Sequence, residues 1–241
     1  DVAQRAQLEA RFRAWSEQGY RVLAVATKML PEKAAYSHAD EVALQFSGFL
    51  LCMDPPDPDA ARLLAELAQL GVEVKIITGD NRYIAAHVAE SVGLDGRVLL
   101  TGDRLGAMRD EALWHAVRNT RVFAEVDPGQ KERIIQALRH TGHVVGFLGD
   151  GINDAPALHI ADVGISVERA VDVAKEAADL VLVAHDMEVL RDGIVDGRRT
   201  FANTIKYLYI TTSANFGNMV SMALASLFLP FLPLLATQIL L

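Results

Sequence analysis

The last part of this chain contains no charged residue. From Tyr207 to Leu241 there is no Asp, Glu, Lys or Arg, whereas the segment before it carries several charges: Arg191, Asp192, Asp196, Arg198, Arg199 and Lys206. A helix needs about 20 mostly apolar residues to cross the hydrocarbon core of a bilayer, and Leu208–Leu229 supplies such a run. Pro230 and Pro233 then interrupt it, and Leu234–Leu241 starts a second apolar stretch. We therefore expect a membrane-spanning helix here rather than a buried hairpin.

The charges around this run predict its orientation. Arg198, Arg199 and Lys206 flank its N-terminal side, and basic flanks face the cytoplasm. At the other end of the chain, Asp1–Arg13 is a charged helical stretch and not an apolar signal peptide. We therefore expect residues 1 to about 206 to be cytoplasmic.

The overall composition excludes several classes of protein. The chain has 241 residues and a net charge of −8, which argues against nucleic acid as a partner because binding it needs a basic face. Hydrophobic residues make up 51% and charged residues 22%, enough for a packed core and unlike a disordered chain. A single cysteine, Cys52, excludes an internal disulfide framework and suits a reducing compartment.

Short apolar runs alternate with amphipathic helices through the middle of the chain. The predicted strands are Phe49–Met53, Val72–Ile77, Val122–Val126, Val144–Leu148, Val163–Val167 and Leu180–Val183. Predicted helices begin with Asp57 as N-cap, carry the stripe Ile84, Val88 and Val92, and cover Gln130–His140. This alternation predicts an α/β fold, a Rossmann-like parallel sheet with helices on both faces. In such sheets, functional groups gather beyond the carboxyl ends of the strands.

Residues 1–48 show a different pattern. A helix over Leu8–Gln18 ends at Gly19, and Arg21–Lys28 reads as a strand without a partner helix. We expect them to be the tail of a domain that begins before residue 1. The parallel-sheet domain is then 49–190, and 191–241 is a stalk leading into the membrane segment.

Two polar groups at predicted strand ends suit phosphoryl binding. Thr78, Gly79 and Asp80 follow one strand, and Lys131 lies in the first turn of the helix opened by Asp127-Pro128. Phosphoryl oxygens need a hydroxyl, free backbone N–H groups and a cation, which Thr78, Gly79 and Lys131 supply. Each group alone has an ordinary structural explanation, but their combination on successive strand ends favours a site.

A third strand end supplies carboxylates. The run Gly149–Asp154 follows a predicted strand, and Asp150 and Asp154 lie one helical turn apart with Asn153 beside them. Carboxylate oxygens are the ligands that Mg²⁺ prefers. The sequence therefore predicts a magnesium site at Asp150 and Asp154, with Asn153 as an amide partner.

These motifs resemble those of a known superfamily. Thr78-Gly79-Asp80, Lys131 and Gly149–Asp154 match the second, third and fourth motifs of the haloacid dehalogenase superfamily. Longer strings, namely Asp54-Pro55-Pro56, GDGINDAPAL and AKEAADLVL, resemble the phosphorylation domain of P-type ATPases, and the resemblance covers nearly the whole chain.

The resemblance implies roles and domain names. The protein would be an ATP-driven cation pump of the plasma (inner) membrane, multi-pass, with Mg²⁺ as cofactor and an aspartyl-phosphate intermediate. Its segments would be the C-terminal remnant of a nucleotide-binding domain (1–48), the phosphorylation domain (49–190), and the stalk with membrane helix 5 and the start of helix 6 (191–241). Nucleotide contacts would come from Arg21, which reaches the ATP phosphates, and Asp54. The catalytic residues would be Thr78, Gly79, Asp80, Lys131 and Asn153.

The tail suggests which ion is transported. Calcium pumps carry Ser-Ser-Asn-x-Gly-Glu in the fifth helix, whereas this chain has Ser-Ala-Asn-Phe-Gly-Asn, ending at Asn218. An amide in place of the carboxylate favours an ion that keeps part of its water shell, as Mg²⁺ does. The chain therefore resembles magnesium-transporting P-type ATPases, with Asn215 and Asn218 in the ion path. Two alternatives are a pump for another cation such as Ca²⁺, and hydrogen bonding between membrane helices by these amides.

One departure from the family leaves further alternatives open. The phosphorylated aspartate of the family lies in the string Asp-Lys-Thr-Gly-Thr, which this sequence lacks. We expect the chain to be a fragment that depends on the remaining domains of the same pump and is inactive alone. One alternative is a soluble phosphatase that uses Asp54 as nucleophile, although Pro55 removes a backbone N–H there. Another is a membrane-anchored, non-enzymatic module.

Overall fold

The computed structural model describes residues 2–32, 35–183 and 188–229. It divides into two compact units, Asp1–Met187 and Glu188–Leu241, and each is described by itself below. Pro230, Pro233 and the apolar stretch predicted over Leu234–Leu241 lie outside the described residues.

The N-terminal part of the first unit is a helix followed by an antiparallel hairpin. Helix α1 covers Val2–Glu17, and strands β1 (Tyr20–Thr27) and β2 (Gln45–Met53) pair antiparallel, with Tyr20 opposite Met53. Our placement of Phe49–Met53 in the parallel sheet was wrong. A continuous apolar run does not reveal which strand it pairs with, and here the nine residues of β2 extend the apolar run back to Gln45 and bond to β1.

Two three-stranded parallel sheets follow. In the first, β3 (Ile76–Ile77), β4 (Leu99–Thr101) and β5 (Val122–Ala124) are arranged in the order β3-β5-β4. In the second, β6 (Gly146–Leu148), β7 (Val163–Val167) and β8 (Leu180–Leu182) are arranged in sequence order. The predicted α/β class with parallel strands is confirmed, although the strands form two sheets in place of one.

Helices connect these strands. They are α2 (Ala60–Gln69), α3 (Arg82–Ser91), α4 (Gly102–Ala107), α5 (Asp110–Asn119), α6 (Pro128–His140), α7 (Ala155–Ile160) and α8 (Asp172–Ala177), with 3₁₀ turns at His38–Asp40 and Ile152–Asp154. The N-cap of α2 is Asp59 and not Asp57, because the Asp57 carboxylate accepts the Asp59 N–H at 2.8 Å and forms a turn before the helix. Gly71 and Gly93 follow α2 and α3 with φ of 73° and 81°, the left-handed conformation that glycine accommodates without strain.

One hydrophobic core joins both parallel sheets. Its buried members include Phe123 from β5, Phe147 from β6, and Ile134, Ile135 and Leu138 from α6. Because α6 packs its apolar face into this core, the first turn of α6 is fixed relative to the carboxyl ends of β5 and β6. That is the edge where the sequence predicted the functional residues.

The second unit contains the long helix α9, Glu188–Ala225. We predicted that the helix would run without a break through Phe201–Ile210, and this is confirmed. None of its described residues is buried, and Phe201, Tyr207, Tyr209 and Phe216 are among its exposed apolar side chains.

Among the described residues, no helix combines the length and the mean hydropathy needed to cross a bilayer. The membrane-spanning helix predicted over 208–229 is therefore not supported. Lack of charge is not the same as apolarity, and the run includes the polar side chains of Thr211, Thr212, Ser213, Asn215 and Asn218.

Candidate functional site

The turn after β3 holds the Thr78 hydroxyl in a defined position. The Asp80 N–H donates to Thr78 Oγ1 at 3.0 Å, and Thr78 Oγ1 donates to Asp80 Oδ2 at 3.2 Å. The Thr78 N–H donates to the Phe123 carbonyl of β5 at 2.9 Å, which extends the parallel pairing by one residue. The partly buried hydroxyl therefore lies at the carboxyl edge of the first parallel sheet, held by the Asp80 side chain.

An arginine from the N-terminal hairpin reaches this turn. Arg21 Nη2 donates to Asp80 Oδ1 at 2.6 Å, with the Arg21 side chain 62% exposed and that of Asp80 34% exposed. An ion pair this exposed contributes little to stability, about 0–1 kcal/mol. It nevertheless places a guanidinium against Asp80, the residue that holds the Thr78 hydroxyl, so Arg21 and Asp80, predicted from different parts of the sequence, lie together.

Lys131 is presented by a strongly specified helix start. Asp127 caps α6 by accepting the Gln130 N–H at 2.8 Å, Gln130 Oε1 accepts the Asp127 N–H at 3.1 Å, and Pro128 occupies the first turn. This reciprocal capping box and the proline fix where the helix begins. Lys131 Nζ then donates to Asp154 Oδ1 at 2.7 Å.

The Lys131–Asp154 pair is shielded from solvent. The two side chains are only 14% and 11% exposed, and the second carboxylate oxygen of Asp154 accepts the Gly151 N–H at 3.2 Å. A Cβ on Gly149 would lie 2.7 Å from Asp154 Cβ, so only glycine permits this close approach. The loop Gly149–Asp154 is thus shaped around the Asp154 carboxylate.

The Thr78–Asp80 turn and the connection that carries Lys131 are joined through the backbone. The Val126 N–H donates to the Thr78 carbonyl at 3.2 Å, and the Lys131 N–H donates to the Asp127 carbonyl at 3.0 Å. The side-chain contacts themselves are separate, since Lys131 contacts Asp154 and Thr78 contacts Asp80. Convergence of Lys131 and Thr78 on one phosphoryl group stays a prediction.

The other predicted site residues stand apart. Asp150, Asn153 and Asp54 are exposed, and the hydrogen bonds of the described residues include none to their side chains. Gly79 would tolerate a Cβ, whose nearest neighbour would be the Val126 carbonyl oxygen at 3.5 Å. Asn215 and Asn218 lie exposed on α9.

The structure qualifies the predicted magnesium ligands. Among the described residues, no three His, Cys, Asp or Glu side chains are close enough together to hold a metal ion. Protein sites for Mg²⁺ commonly use one or two carboxylates, with water and substrate phosphates completing the shell. The exposed Asp150 carboxylate fits this role. The Asp154 oxygens already accept from Lys131 and Gly151, which fits a ligand through water better than a direct one.

Two residues next to the site were missed in the sequence. Glu125 accepts at Oε1 from the backbone N–H and the Nε of Arg82, both at 3.0 Å, and at Oε2 from Arg82 Nη2 at 2.7 Å. Glu125 also has a φ of 57°, which is rare for a residue other than glycine. No sequence signal marks a glutamate that adopts this backbone conformation. Neither Glu125 nor its partner Arg82 could therefore be predicted from the sequence.

The pairing changes the acidity of both groups. The Arg82 side chain, together with its backbone N–H, lowers the pKa of Glu125 below its usual value of 4.5, and burial opposes the shift only in part. Hydrogen bonding to Glu125 raises the pKa of Arg82. A carboxyl whose pKa is lower in the folded state stabilises the fold above its unfolded pKa, and this contribution is lost as the pH falls through the folded value.

This shift predicts a pH-dependent difference between wild type and Glu125→Gln. At pH 7 the variant is expected to have the lower free energy of unfolding, because the amide cannot form the charge-assisted bonds to Arg82. The difference should shrink as the pH falls below the unfolded pKa of the carboxyl and through its lower folded pKa, because the wild-type carboxyl is then protonated too. Urea unfolding at pH 7 and pH 3 measures it. If the difference in the free energy of unfolding is the same at both pH values, the pKa of Glu125 is not lowered by Arg82 in the folded state.

Comparison with known proteins places the chain in a family. Residues 3–162 match the haloacid dehalogenase-like hydrolases. The chain belongs to the haloacid dehalogenase-like hydrolase family. The matched stretch includes Thr78, Lys131, Asp150 and Asp154, so the whole candidate site lies within the haloacid dehalogenase-like part of the chain.

Relatives of this haloacid dehalogenase-like chain include transport ATPases. It is 48% identical to the magnesium-transporting ATPase, P-type 1, of Escherichia coli K12 over 226 residues, which is 93% of this chain and 25% of the relative. The protein of the same name from Salmonella typhimurium LT2 is 48% identical over 97% of the chain and 26% of the relative. A calcium-transporting ATPase of Bacillus subtilis is 35% identical over 98% of the chain and 27% of the relative. The chain spans about a quarter of the length of these relatives.

Proposed function

We propose that this chain supplies the phosphoryl-binding and magnesium-binding part of an ATP-driven cation pump of the P-type ATPase class. The main support is the placement of Thr78 and of the Lys131–Asp154 pair on connections that follow β3, β5 and β6, in a chain 48% identical to magnesium-transporting ATPases. The fold alone hosts many reactions, so the proposal rests on these residues.

The reaction is transfer of the γ-phosphoryl group of ATP to an aspartate. A bond forms between phosphorus and a carboxylate oxygen of the Asp-Lys-Thr-Gly-Thr motif, which lies outside this sequence, and the bond to the departing ADP oxygen breaks. Negative charge is spread over the three equatorial oxygens during transfer. The Thr78 hydroxyl, the Gly79 N–H and the Lys131 ammonium stabilise that charge, and Asp154 keeps Lys131 aimed at the site.

Asp150 is the carboxylate that holds Mg²⁺ in this proposal. When bound, the ion neutralises charge on the phosphoryl oxygens. Asp154 would help to hold the ion less directly than Asp150, because its two oxygens already accept from Lys131 and Gly151. Asn153 contributes its amide beside them.

ATP is positioned by the N-terminal hairpin. Arg21, which is paired with Asp80, binds the ATP phosphates. Asp54 is the second nucleotide-binding residue of the proposal. The rival role of Asp54, as nucleophile of a soluble phosphatase, is disfavoured. Asp54 follows β2, which pairs antiparallel with β1, and so it does not lie at the carboxyl end of a parallel strand.

The transported ion and the membrane portion complete the proposal. We assign the segment from Tyr207 onward to the membrane portion of a pump in the plasma (inner) membrane, because the chain is 48% identical to a magnesium-transporting ATPase over 226 residues. Asn215 and Asn218 lie three residues apart on α9, so they share one face and line the path of a divalent cation. Amides suit a partly hydrated ion, which favours Mg²⁺ over Ca²⁺.

Cation-stimulated ATP hydrolysis tests the proposal. The protein encoded by the complete gene is purified in detergent, and hydrolysis is measured with and without added divalent cation. Stimulated hydrolysis is expected, together with an Asp-Lys-Thr-Gly-Thr string upstream of Asp1. Phosphatase turnover by the 241-residue chain itself, abolished by Asp54→Asn, would instead establish the soluble phosphatase.

The two amides of α9 carry their own prediction. Asn215→Leu and Asn218→Leu are each expected to raise the Mg²⁺ concentration that half-saturates transport by the complete protein about tenfold. That change is equivalent to about 1.4 kcal/mol of lost binding of the transported ion. Phosphorylation should persist in both variants. Asn203→Leu, on the same helix and also exposed, is the matched control and should behave as wild type. Normal affinity for the transported Mg²⁺ in both test variants would show that the two amides are packing groups and not part of the ion path.

A further inference from the structure

The backbone at Glu125 is held in an unusual conformation between two loops. Its φ of 57° lies in the left-handed region, and its N–H donates to the Asp80 carbonyl at 2.9 Å. The next residue, Val126, donates its N–H to the Thr78 carbonyl at 3.2 Å. Residues other than glycine keep such a conformation when their surroundings enforce it, and they concentrate at functional sites.

The third neighbour of this backbone is Gly102, at the start of α4. A Cβ on Gly102 would lie only 2.1 Å from the Glu125 carbonyl oxygen, a distance that no side chain tolerates. The Glu125 peptide therefore fits closely between the Thr78–Asp80 turn and the first residue of α4.

The Glu125 side chain adds a second attachment to the same turn. Three N–H groups of Arg82, one from the backbone and two from the guanidinium, donate to its two carboxylate oxygens. Arg82 is the first residue of α3, and the preceding Asn81 caps that helix by accepting the Tyr83 and Ile84 N–H groups. The carboxylate is thus tied to the helix that immediately follows the Thr78–Asp80 turn.

We propose that Glu125 and Arg82 are positioning residues that hold the Thr78–Asp80 turn against the start of α6 and so set the separation between Thr78 and Lys131. This inference rests on the proposed function and deepens it. Lys131 is fixed on its other side by Asp154, and α6 begins just two residues after Val126. Without the pair, the hydrogen bonds described for the turn leave only its backbone bonds to the connection that carries Lys131.

The energetic character of the pair supports positioning over bulk stability. The Arg82 side chain is 47% exposed and that of Glu125 is 29% exposed, a setting in which ion pairs add little to stability. The three hydrogen bonds from Arg82 to Glu125 instead fix how the two residues are oriented relative to each other. Misplacing catalytic groups by about 1 Å can cost about a hundredfold in rate, so a weak structural contact can still control the reaction.

Two substitutions at Glu125 separate its backbone from its side chain. Glu125→Gly removes the side chain but accommodates the positive φ, and Glu125→Gln keeps the shape but loses the charge. In the complete protein, we expect Glu125→Gly to slow phosphoenzyme formation from ATP by about 10- to 100-fold. The KM for ATP should change less than about twofold, because Arg21 and Asp80 remain paired. The rate of phosphoenzyme formation in Glu125→Gln should lie between the rates of Glu125→Gly and wild type. Asp95→Ala, which breaks the exposed Asp95–Arg97 pair at 3.0 Å, is the matched control and should have no effect.

A second measurement judges the inference independently of catalysis. In the 241-residue chain, amide hydrogen exchange at Glu125 and Val126 should accelerate at least about tenfold in Glu125→Gly, because those N–H groups bond to Asp80 and Thr78. If wild type forms no phosphoenzyme, the proposed function fails and exchange alone decides whether the pair holds the turn. A wild-type rate of phosphorylation in Glu125→Gly, or unchanged exchange at both amides, would overturn the inference.

Discussion

Asp150→Asn is expected to reduce phosphoenzyme formation in the complete protein by at least about 10²- to 10³-fold, the loss typical when charge stabilisation at a transferring group is removed. The amide keeps the size of the side chain but removes the negative charge that we propose holds Mg²⁺. The Asp150 side chain is exposed, and the described residues offer it no hydrogen bond, so the unfolding temperature should stay within a few degrees of wild type.

Phosphorylation from ATP, at several Mg²⁺ concentrations, measures this effect. Asp172→Asn is the matched control, because Asp172 is a 96% exposed carboxylate on α8 and should be replaceable without effect. Normal phosphorylation by the Asp150 variant at ordinary Mg²⁺ would remove this residue from the metal site.

Lys131→Ala is expected to lower the free energy of unfolding by about 3 kcal/mol, a large effect for a single lysine. It leaves the Asp154 side chain, which is 11% exposed in the wild type, with the Gly151 N–H as its remaining donor among the bonds described above. A charge that is buried without its partner accounts for most of the cost. Phosphorylation should also fall by about 10²- to 10³-fold, because the proposed phosphoryl site would lose its cation.

A double-mutant cycle isolates the pair. Lys131→Ala with Asp154→Ala should cost clearly less than the sum of the single changes, since neither charge is then left alone. Lys175→Ala is the control, because Lys175 lies 3.9 Å from the exposed Asp172, and it should change stability by less than about 0.5 kcal/mol. Urea unfolding of wild type, the two single variants, the double variant and Lys175→Ala gives the comparison. Strict additivity, or a loss below about 1 kcal/mol for Lys131→Ala, would contradict a buried, coupled pair.

Local sequence signals predicted the elements that present the site. Asp127-Pro128 marked the start of α6, and the α6 helix is capped by Asp127 with Pro128 in its first turn. Gly71 and Gly93 follow α2 and α3, and each adopts a positive φ, the usual glycine signal for the end of a helix. These signals act within a few residues, so they can be read directly from the sequence.

Features that depend on distant partners were not predictable in this way. The pairing of β2 with β1 depends on hydrogen bonds between strands, which apolar runs do not specify. The short strand β4 and helix α4 escaped notice because three strand residues and a six-residue helix carry little periodicity. The ten-residue helix α5 was also not predicted. The Glu125–Arg82 pair joins residues far apart in sequence and depends on a backbone conformation that no motif encodes.

The measurement that tests the proposed pump most directly is phosphoenzyme formation from ATP labelled at the γ-phosphate. The protein encoded by the complete gene is quenched in acid and analysed for covalently bound label, before and after treatment with hydroxylamine, which cleaves acyl phosphates. An aspartyl-phosphate pump is expected to give Mg²⁺-dependent, hydroxylamine-sensitive label that is lost in Asp150→Asn and retained in Asp172→Asn. The absence of covalent label in wild type, or label that maps to Asp54, would contradict it.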